Sequence, residues 1–108
     1  MKTLIATTAL ALAMSGAYAQ NVDTSAAEAL MKKSGCFKCH AVAAKKDGPS
    51  YKSVAEKYKG KADAQAALFK HITTGPTVKI DGKEEKHEII KSKDDAEIKN
   101  VVAFILSR

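Results

Sequence analysis

The residues of this chain most suited to chemistry form one run, Cys36-Phe37-Lys38-Cys39-His40. It follows the C-x-x-C-H pattern by which proteins attach c-type haem. Two thiols three residues apart on one helical turn can both reach the vinyl groups at one edge of a porphyrin, and the adjacent imidazole can then bind the iron. The run therefore predicts a covalent haem held through Cys36 and Cys39, with His40 as the proximal iron ligand.

Three other interpretations of this run stay open at the level of the sequence. A disulfide between the two cysteines suits an oxidising compartment but leaves His40 without a role. A thioredoxin-like redox motif needs a βαβ setting, which a helical chain does not offer. A zinc site needs two more ligands, and His71 and His87 are the only other histidines. Because all five positions fit the haem pattern, we expect haem.

Four stretches of the chain carry apolar residues at the three- and four-residue spacing of an amphipathic helix. A capping-box pattern, Ser25-Ala26-Ala27-Glu28, marks the start of the first stretch. The fourth stretch has a similar cap-like start near Asp94. These patterns predict an all-α fold of four or so helices. The predicted helices cover about residues 25–34, 51–58, 62–73 and 94–106.

The segment between the third and fourth stretches does not follow a helical pattern. Val78 and Ile80 alternate with polar residues, and Asp81-Gly82 is a two-residue turn typical of β-hairpins. The sequence therefore predicts a small hairpin, or else an extended loop, at about 77–88.

The first 19 residues have the features of a secretory signal peptide. A positively charged start precedes an apolar run over 4–14, and Ala17-Tyr18-Ala19 forms a small-x-small cleavage pattern. The apolar run is shorter than the roughly 20 residues that a membrane-spanning helix needs. We expect cleavage after Ala19, export to the periplasm, no membrane span, and a mature domain of residues 20–108.

Composition limits what this mature domain can be. Removing 19 of the 108 residues leaves 89, with 17 basic and 12 acidic side chains and a net charge of +5. A chain of this size buries only about 60–70% of its unfolded surface. With five aromatic residues its core is thin and leaves room for a large apolar ligand. Two cysteines exclude a disulfide-dense scaffold, and scattered lysines argue against a nucleic-acid-binding arm.

The mature chain as a whole resembles the small class I c-type cytochromes of the bacterial c-551/c-552 type. Asp47-Gly48-Pro49, followed by Tyr51, is similar to the Gly-Pro loop after the haem motif of that family. Residues 54–60 and 94–106 are similar to its second and last helices. The resemblance implies a compact cytochrome c fold around one covalent haem c, with the last helix crossing the first near Ala26 and Ala27.

The resemblance also implies roles for individual residues. In the family, the proline carbonyl of the Gly-Pro loop accepts a hydrogen bond from the proximal imidazole, so Pro49 would serve His40 in this way. Phe104 would pack against the haem at a position where the family often has Trp. The usual distal ligand of the family is a Met about eight residues before the Asp of the last helix.

This chain has no Met at that position. Met31 lies nine residues before His40, so on one continuous helix it would be about 14 Å away along the axis, and we expect it in the core. The register of the missing Met is occupied by His87. We therefore expect His87 as the distal iron ligand, with His71 as the alternative. A solvated His87, a lysine ligand such as Lys83 or Lys86, and an open iron site are further alternatives.

Two imidazole ligands imply a particular function. Met/His ligation raises the potential of cytochromes c, so replacing the thioether with imidazole should lower it. We expect a soluble, monomeric one-electron carrier, not an enzyme, although a place as a subunit of a larger oxidoreductase stays open. The alternative is a haem-based sensor or small-ligand-binding protein with a displaceable or open sixth site. Lysines near the haem motif would steer the carrier onto acidic patches of redox partner proteins. These are Lys38, Lys45, Lys46 and Lys52.

Overall fold

The computed structural model describes residues 21–108, so the expected signal peptide over 1–19 lies outside the described residues. The described chain has four α-helices, one 3₁₀ turn and one two-stranded hairpin. This confirms the predicted mostly helical fold with a small hairpin. In order, the elements are α1 (Thr24–Lys33), the 3₁₀ turn (Cys36–Lys38), α2 (Tyr51–Tyr58), α3 (Ala64–Thr74), β1 (Thr77–Ile80), β2 (Lys83–Lys86) and α4 (Asp95–Leu106).

Helix α1 begins earlier than the capping-box pattern at Ser25 predicted. Its N-cap is Asp23, whose carboxylate accepts a hydrogen bond from the Ala26 N–H at 3.0 Å. Asp23 is held by the last helix, since its own N–H donates to Asn100 Oδ1 at 2.9 Å. A long-range contact thus selects one of two good N-cap residues. The helix ends before Gly35, which adopts the left-handed conformation.

Helix α4 is the centre of the core, because it contacts each of the other three helices. Ala27 is fully buried, whereas Ala26 is exposed. Of these two alanines, only Ala27 is therefore placed to permit a close approach of α1 and α4. Met31 is completely buried as expected of a core residue. The largest fully buried side chains are Phe104, Met31, Val101 and Val102.

The hairpin β1–β2 forms where the sequence predicted it. Thr77 pairs with Lys86 and Ile80 with Lys83, so Asp81 and Gly82 form the two-residue turn. Both turn residues have positive φ, as the twist of a tight hairpin requires. All four residues of β2 are exposed. No helix among residues 21–108 is long and apolar enough to cross a membrane.

Backbone hydrogen bonds tie the chain after the hairpin to the helices. The His87 N–H donates to the Pro76 carbonyl at 2.9 Å, which adds one more pair beyond the strands. The Ile90 N–H donates to the Ile72 carbonyl at 2.9 Å, and the Lys91 N–H donates to Ser34 Oγ at 2.9 Å. Residues 87–91 are therefore held against the end of α3 and the end of α1.

Candidate haem site

The imidazole of His40 is held by the loop that follows it. Its Nδ1 lies 2.7 Å from the Pro49 carbonyl oxygen. Because a carbonyl can only accept, Nδ1 carries the proton and Nε2 is left with a lone pair. The Gly48 N–H donates to the Cys39 carbonyl at 2.7 Å, and a Cβ at position 48 would overlap Cε1 of the His40 ring. The loop therefore approaches the imidazole as closely as glycine permits.

Tyr51 covers another side of the same imidazole. Its ring is stacked on His40 with centroids 5.2 Å apart and planes 27° apart, and it meets Phe37 edge-on at 6.2 Å. Ser50 caps helix α2 by accepting from the Ser53 N–H at 3.1 Å, which fixes the start of the helix beside the motif. Burial raises the pKa of Tyr51 far above its ordinary value of 10, so its hydroxyl is neutral at physiological pH.

Both cysteines of the motif are half-buried, and no disulfide joins them. The 3₁₀ turn Cys36–Lys38 follows the left-handed Gly35 and separates the motif from α1. Burial raises the pKa of the Cys36 thiol above its ordinary value. Within residues 21–108, no group of three or more His, Cys, Asp or Glu side chains is arranged to hold a metal ion.

The ring of His87 lies opposite His40, although 46 residues separate them in the sequence. Their ring centroids are 6.0 Å apart, with planes tilted by 46°. His87 Nδ1 lies 2.7 Å from the Glu88 carbonyl oxygen, so its Nε2, like that of His40, keeps its lone pair. Two imidazoles that share one metal ion, with metal–nitrogen bonds of about 2 Å, have ring centroids about 6 Å apart. The spacing of the two rings therefore agrees with one iron bound by both imidazoles.

His71 is the third member of this histidine cluster. It lies in the last turn of α3, half-buried, with its ring centroid 4.4 Å from that of His87 and the planes 68° apart. Burial lowers the pKa of His71, and the positive charges of His87 and His40 lower it further. Burial also lowers the pKa of His40, against the opposing effect of its bond to Pro49. Low pKa values favour the neutral imidazole, the form that binds metals.

Phe104, the residue expected to pack against the haem, is fully buried in α4. Cys36 and Phe37 pack against the hydrophobic cluster that contains it. The motif therefore packs against the same hydrophobic cluster that contains Phe104.

Comparison with known proteins identifies the family of this chain. The cytochrome c family model matches residues 24–108, which include every element described above. The chain belongs to the cytochrome c family. Like other members of its family, this cytochrome carries one covalently bound haem c, as the motif predicted. The small cytochromes c to which it is similar are electron carriers.

This cytochrome is similar to several small cytochromes c of known sequence or structure. It is 48% identical to cytochrome c-551 of Pseudomonas aeruginosa over 48 residues, which span 44% of this chain and 46% of that protein. It is 40% identical to cytochrome c2 of Rubrivivax gelatinosus over 78 residues, spanning 71% and 91%. The crystal structure of the class 1 cytochrome MtoD from Sideroxydans lithotrophicus ES-1 is 55% identical, with a TM-score of 0.76 over 80% of this chain and 96% of that one.

Two contacts in the site were not predicted from the sequence. Tyr51 was assigned to the Gly-Pro loop, but its stacking on His40 was not predicted. His71 was considered only as an alternative ligand, whereas the structure places it in contact with His87. The position of Tyr51, two residues after Pro49, could have indicated the first contact. No local pattern relates residues 71 and 87.

Proposed function

We propose that this cytochrome is a one-electron carrier whose haem iron is held by His40 and His87. The observation that carries the proposal is the pair of imidazoles with ring centroids 6.0 Å apart, each with Nδ1 bonded to a backbone carbonyl and Nε2 left to bind metal. His71 makes no such backbone bond within residues 21–108, and its ring lies beside His87. The geometry therefore favours His87 over His71.

The haem, when bound, supplies a one-electron couple between ferric and ferrous iron. The residues of the chain would attach and orient it: Cys36 and Cys39 would form the thioether links, and His40 and His87 would bind the iron. The carbonyls of Pro49 and Glu88 fix the tautomer of each imidazole. A haem held by these four side chains would need little rearrangement of the protein when one electron is gained or lost.

The ligand set also determines the sign of the change in potential. A thioether favours ferrous iron and raises the potential of His/Met cytochromes c, whereas a second imidazole donates more strongly to ferric iron. We infer a reduction potential below that of Met-ligated relatives. Axial ligands and their surroundings change haem potentials over about 0.8 V, so the direction is the useful expectation.

We further propose that the cytochrome works in the periplasm as a soluble monomer and meets acidic redox partner proteins through the lysines near its motif. All four of these lysines are exposed. Lys46 Nζ donates to the Phe37 carbonyl at 2.6 Å, which holds one positive charge over the 3₁₀ turn. The expected signal peptide supports the location, and the net charge of the mature chain supports the choice of partner.

Absorption spectra of the ferric and reduced protein test the ligand assignment. We expect the wild type to be low-spin and to lack the far-red band of Met-ligated iron. The His87→Ala variant should become high-spin, whereas His71→Ala, the matched control from the same cluster, should stay low-spin. A His87→Ala variant with the wild-type low-spin spectrum would show that another residue is the sixth ligand.

The alternative function is that of a sensor or small-ligand-binding protein with a displaceable sixth ligand. One observation favours it: the strand that leads into His87 is exposed along its whole length, and Ile89, two residues after it, is 45% exposed. Displacing His87 would break its backbone bond to Pro76, but it would disrupt no buried side chain of β2. Rapid binding of CO to the reduced wild type without denaturant would support this alternative over the carrier.

A further inference from the structure

We propose that His71 is a positioning residue for the sixth ligand, and that its ring fixes the orientation of the His87 imidazole. This inference rests on the proposed function, in which His87 binds the iron. The two ring centroids are 4.4 Å apart and the planes are 68° apart. This is the edge-to-face arrangement that aromatic rings prefer, because the positive edge of one ring meets the negative face of the other.

The two ligands differ in how their rings are held. His40 is bonded to Pro49, nine residues away, and is stacked on Tyr51 from helix α2. The hydrogen bond of His87 goes to the carbonyl of Glu88, its neighbour in the chain. That bond sets the tautomer of His87, but it turns with the local backbone and does not tie the ring to the rest of the protein. His71 supplies a ring contact to His87 from another element.

The element that carries His71 is well anchored. Its own carbonyl accepts from the Gly75 N–H at 3.2 Å, at the left-handed end of α3. The carbonyl of Ile72, the next residue, accepts a hydrogen bond from the N–H of Ile90, which comes three residues after His87. A Cβ at Gly75 would lie 2.5 Å from the His87 carbonyl oxygen, so the end of α3 and the ligand segment are in close contact. A ring on this helix end can therefore define the position of the ligand ring.

Three variants test this role in the haem-loaded protein: His71→Ala, His71→Phe and, as a control on the exposed face of the same helix, Lys70→Ala. The ferric EPR g values report the orientation of the axial imidazole. The rate of CO binding to the reduced protein reports how readily His87 leaves the iron. Neither measurement depends on electron-transfer activity.

We expect His71→Ala to stay low-spin, with shifted g values and CO binding about 2- to 10-fold faster than in the wild type, the range that corresponds to losing one aromatic contact. His71→Phe should restore both properties, because it keeps an aromatic edge without a ring nitrogen. Lys70→Ala should behave as the wild type. The rescue by phenylalanine separates ring packing from any effect of the charge or hydrogen bonding of His71.

Wild-type g values and CO rates in His71→Ala would overturn the inference, as would a His71→Phe variant that behaves like His71→Ala. If His71→Ala turned high-spin while His87→Ala stayed low-spin, His71 would be the ligand and the proposed function would fail as well. A high-spin His87→Ala variant together with an unchanged His71→Ala variant would overturn only the positioning role. The two failures are thus distinguishable.

Discussion

At the scale of single residues, the proximal imidazole depends on neighbours that leave it almost no freedom. Pro49 fixes its tautomer, Tyr51 covers one side of the ring, and the Gly48 backbone approaches another. Each contact comes from residues 48–51, which begin eight positions after His40 in the sequence. A short loop is thus sufficient to prepare a histidine for metal binding, and its residue types can be tested one by one.

Gly48→Ala is expected to disturb the proximal side of the haem. The added methyl group would overlap the His40 ring, so the loop or the imidazole must move and the bond to Pro49 must lengthen. We expect an altered haem absorption spectrum together with a lower midpoint of thermal unfolding. Gly60→Ala is the control: it has positive φ and no atom within 4 Å of the new Cβ. It should cost about 1 kcal/mol through backbone strain and leave the spectrum unchanged.

Tyr51→Phe is expected to change how stability depends on alkaline pH. Burial raises the pKa of Tyr51 in the folded protein, so above the unfolded value of about 10 the unfolded chain loses a proton that the folded chain retains. The wild type should therefore lose up to about 1.4 kcal/mol of stability per pH unit above pH 10 because of this residue. Urea unfolding between pH 8 and pH 11 should show a shallower decline in the free energy of unfolding for Tyr51→Phe than for the wild type. Equal slopes would contradict a raised pKa of Tyr51 in the folded protein.

At the scale of elements, the hairpin connects the end of α3 to the ligand segment. The pair between Pro76 and His87 continues the ladder of β1 and β2 directly into the expected sixth ligand. The strands themselves are short, and β2 buries no side chain. Their register therefore depends on the tight turn at Asp81 and Gly82 more than on packing.

Gly82→Val is expected to loosen the sixth ligand without touching it. A β-branched residue is strained at the φ of +78° found there, which weakens the turn and with it the ladder that ends at His87. CO should then bind the reduced variant faster than the wild type, with the α-helical circular dichroism preserved. Gly60→Val introduces the same side chain at a similar φ of +75° outside the hairpin. If CO bound the two variants at equal rates, the hairpin would have no specific role in positioning the ligand.

At the scale of the whole molecule, a net charge of +5 on residues 20–108 creates a field that attracts anions. We expect the rate of oxidation by ferricyanide, an anionic probe, to fall as ionic strength rises. Charge reversal at Lys38 or Lys52, near the motif, should slow the reaction more than the same change at Lys99, an exposed residue of α4. Identical rates for the Lys52→Glu and Lys99→Glu variants at low salt would show that only net charge matters.

The sequence by itself determined everything that depends on local spacing. The run from Cys36 to His40 identified the cofactor, the periodic apolar residues predicted the helices, and Asp81-Gly82 predicted the hairpin turn. Each of these features is encoded within about a dozen neighbouring residues, where backbone propensity and motif geometry act directly. His87 is the candidate ligand because it occupies the register of the Met in the family that the chain resembles. This remains a prediction that the absorption spectra test.

Only the tertiary structure decided how distant segments meet. The start of α1 moved from Ser25 to Asp23 because Asn100 of α4 binds the backbone there. The stacking of Tyr51 on His40, the 6.0 Å spacing of His40 and His87, and the contact of His71 with His87 depend on how α2, α3 and the hairpin pack. No local pattern encodes such distances, because they result from burying apolar side chains of separate elements against α4.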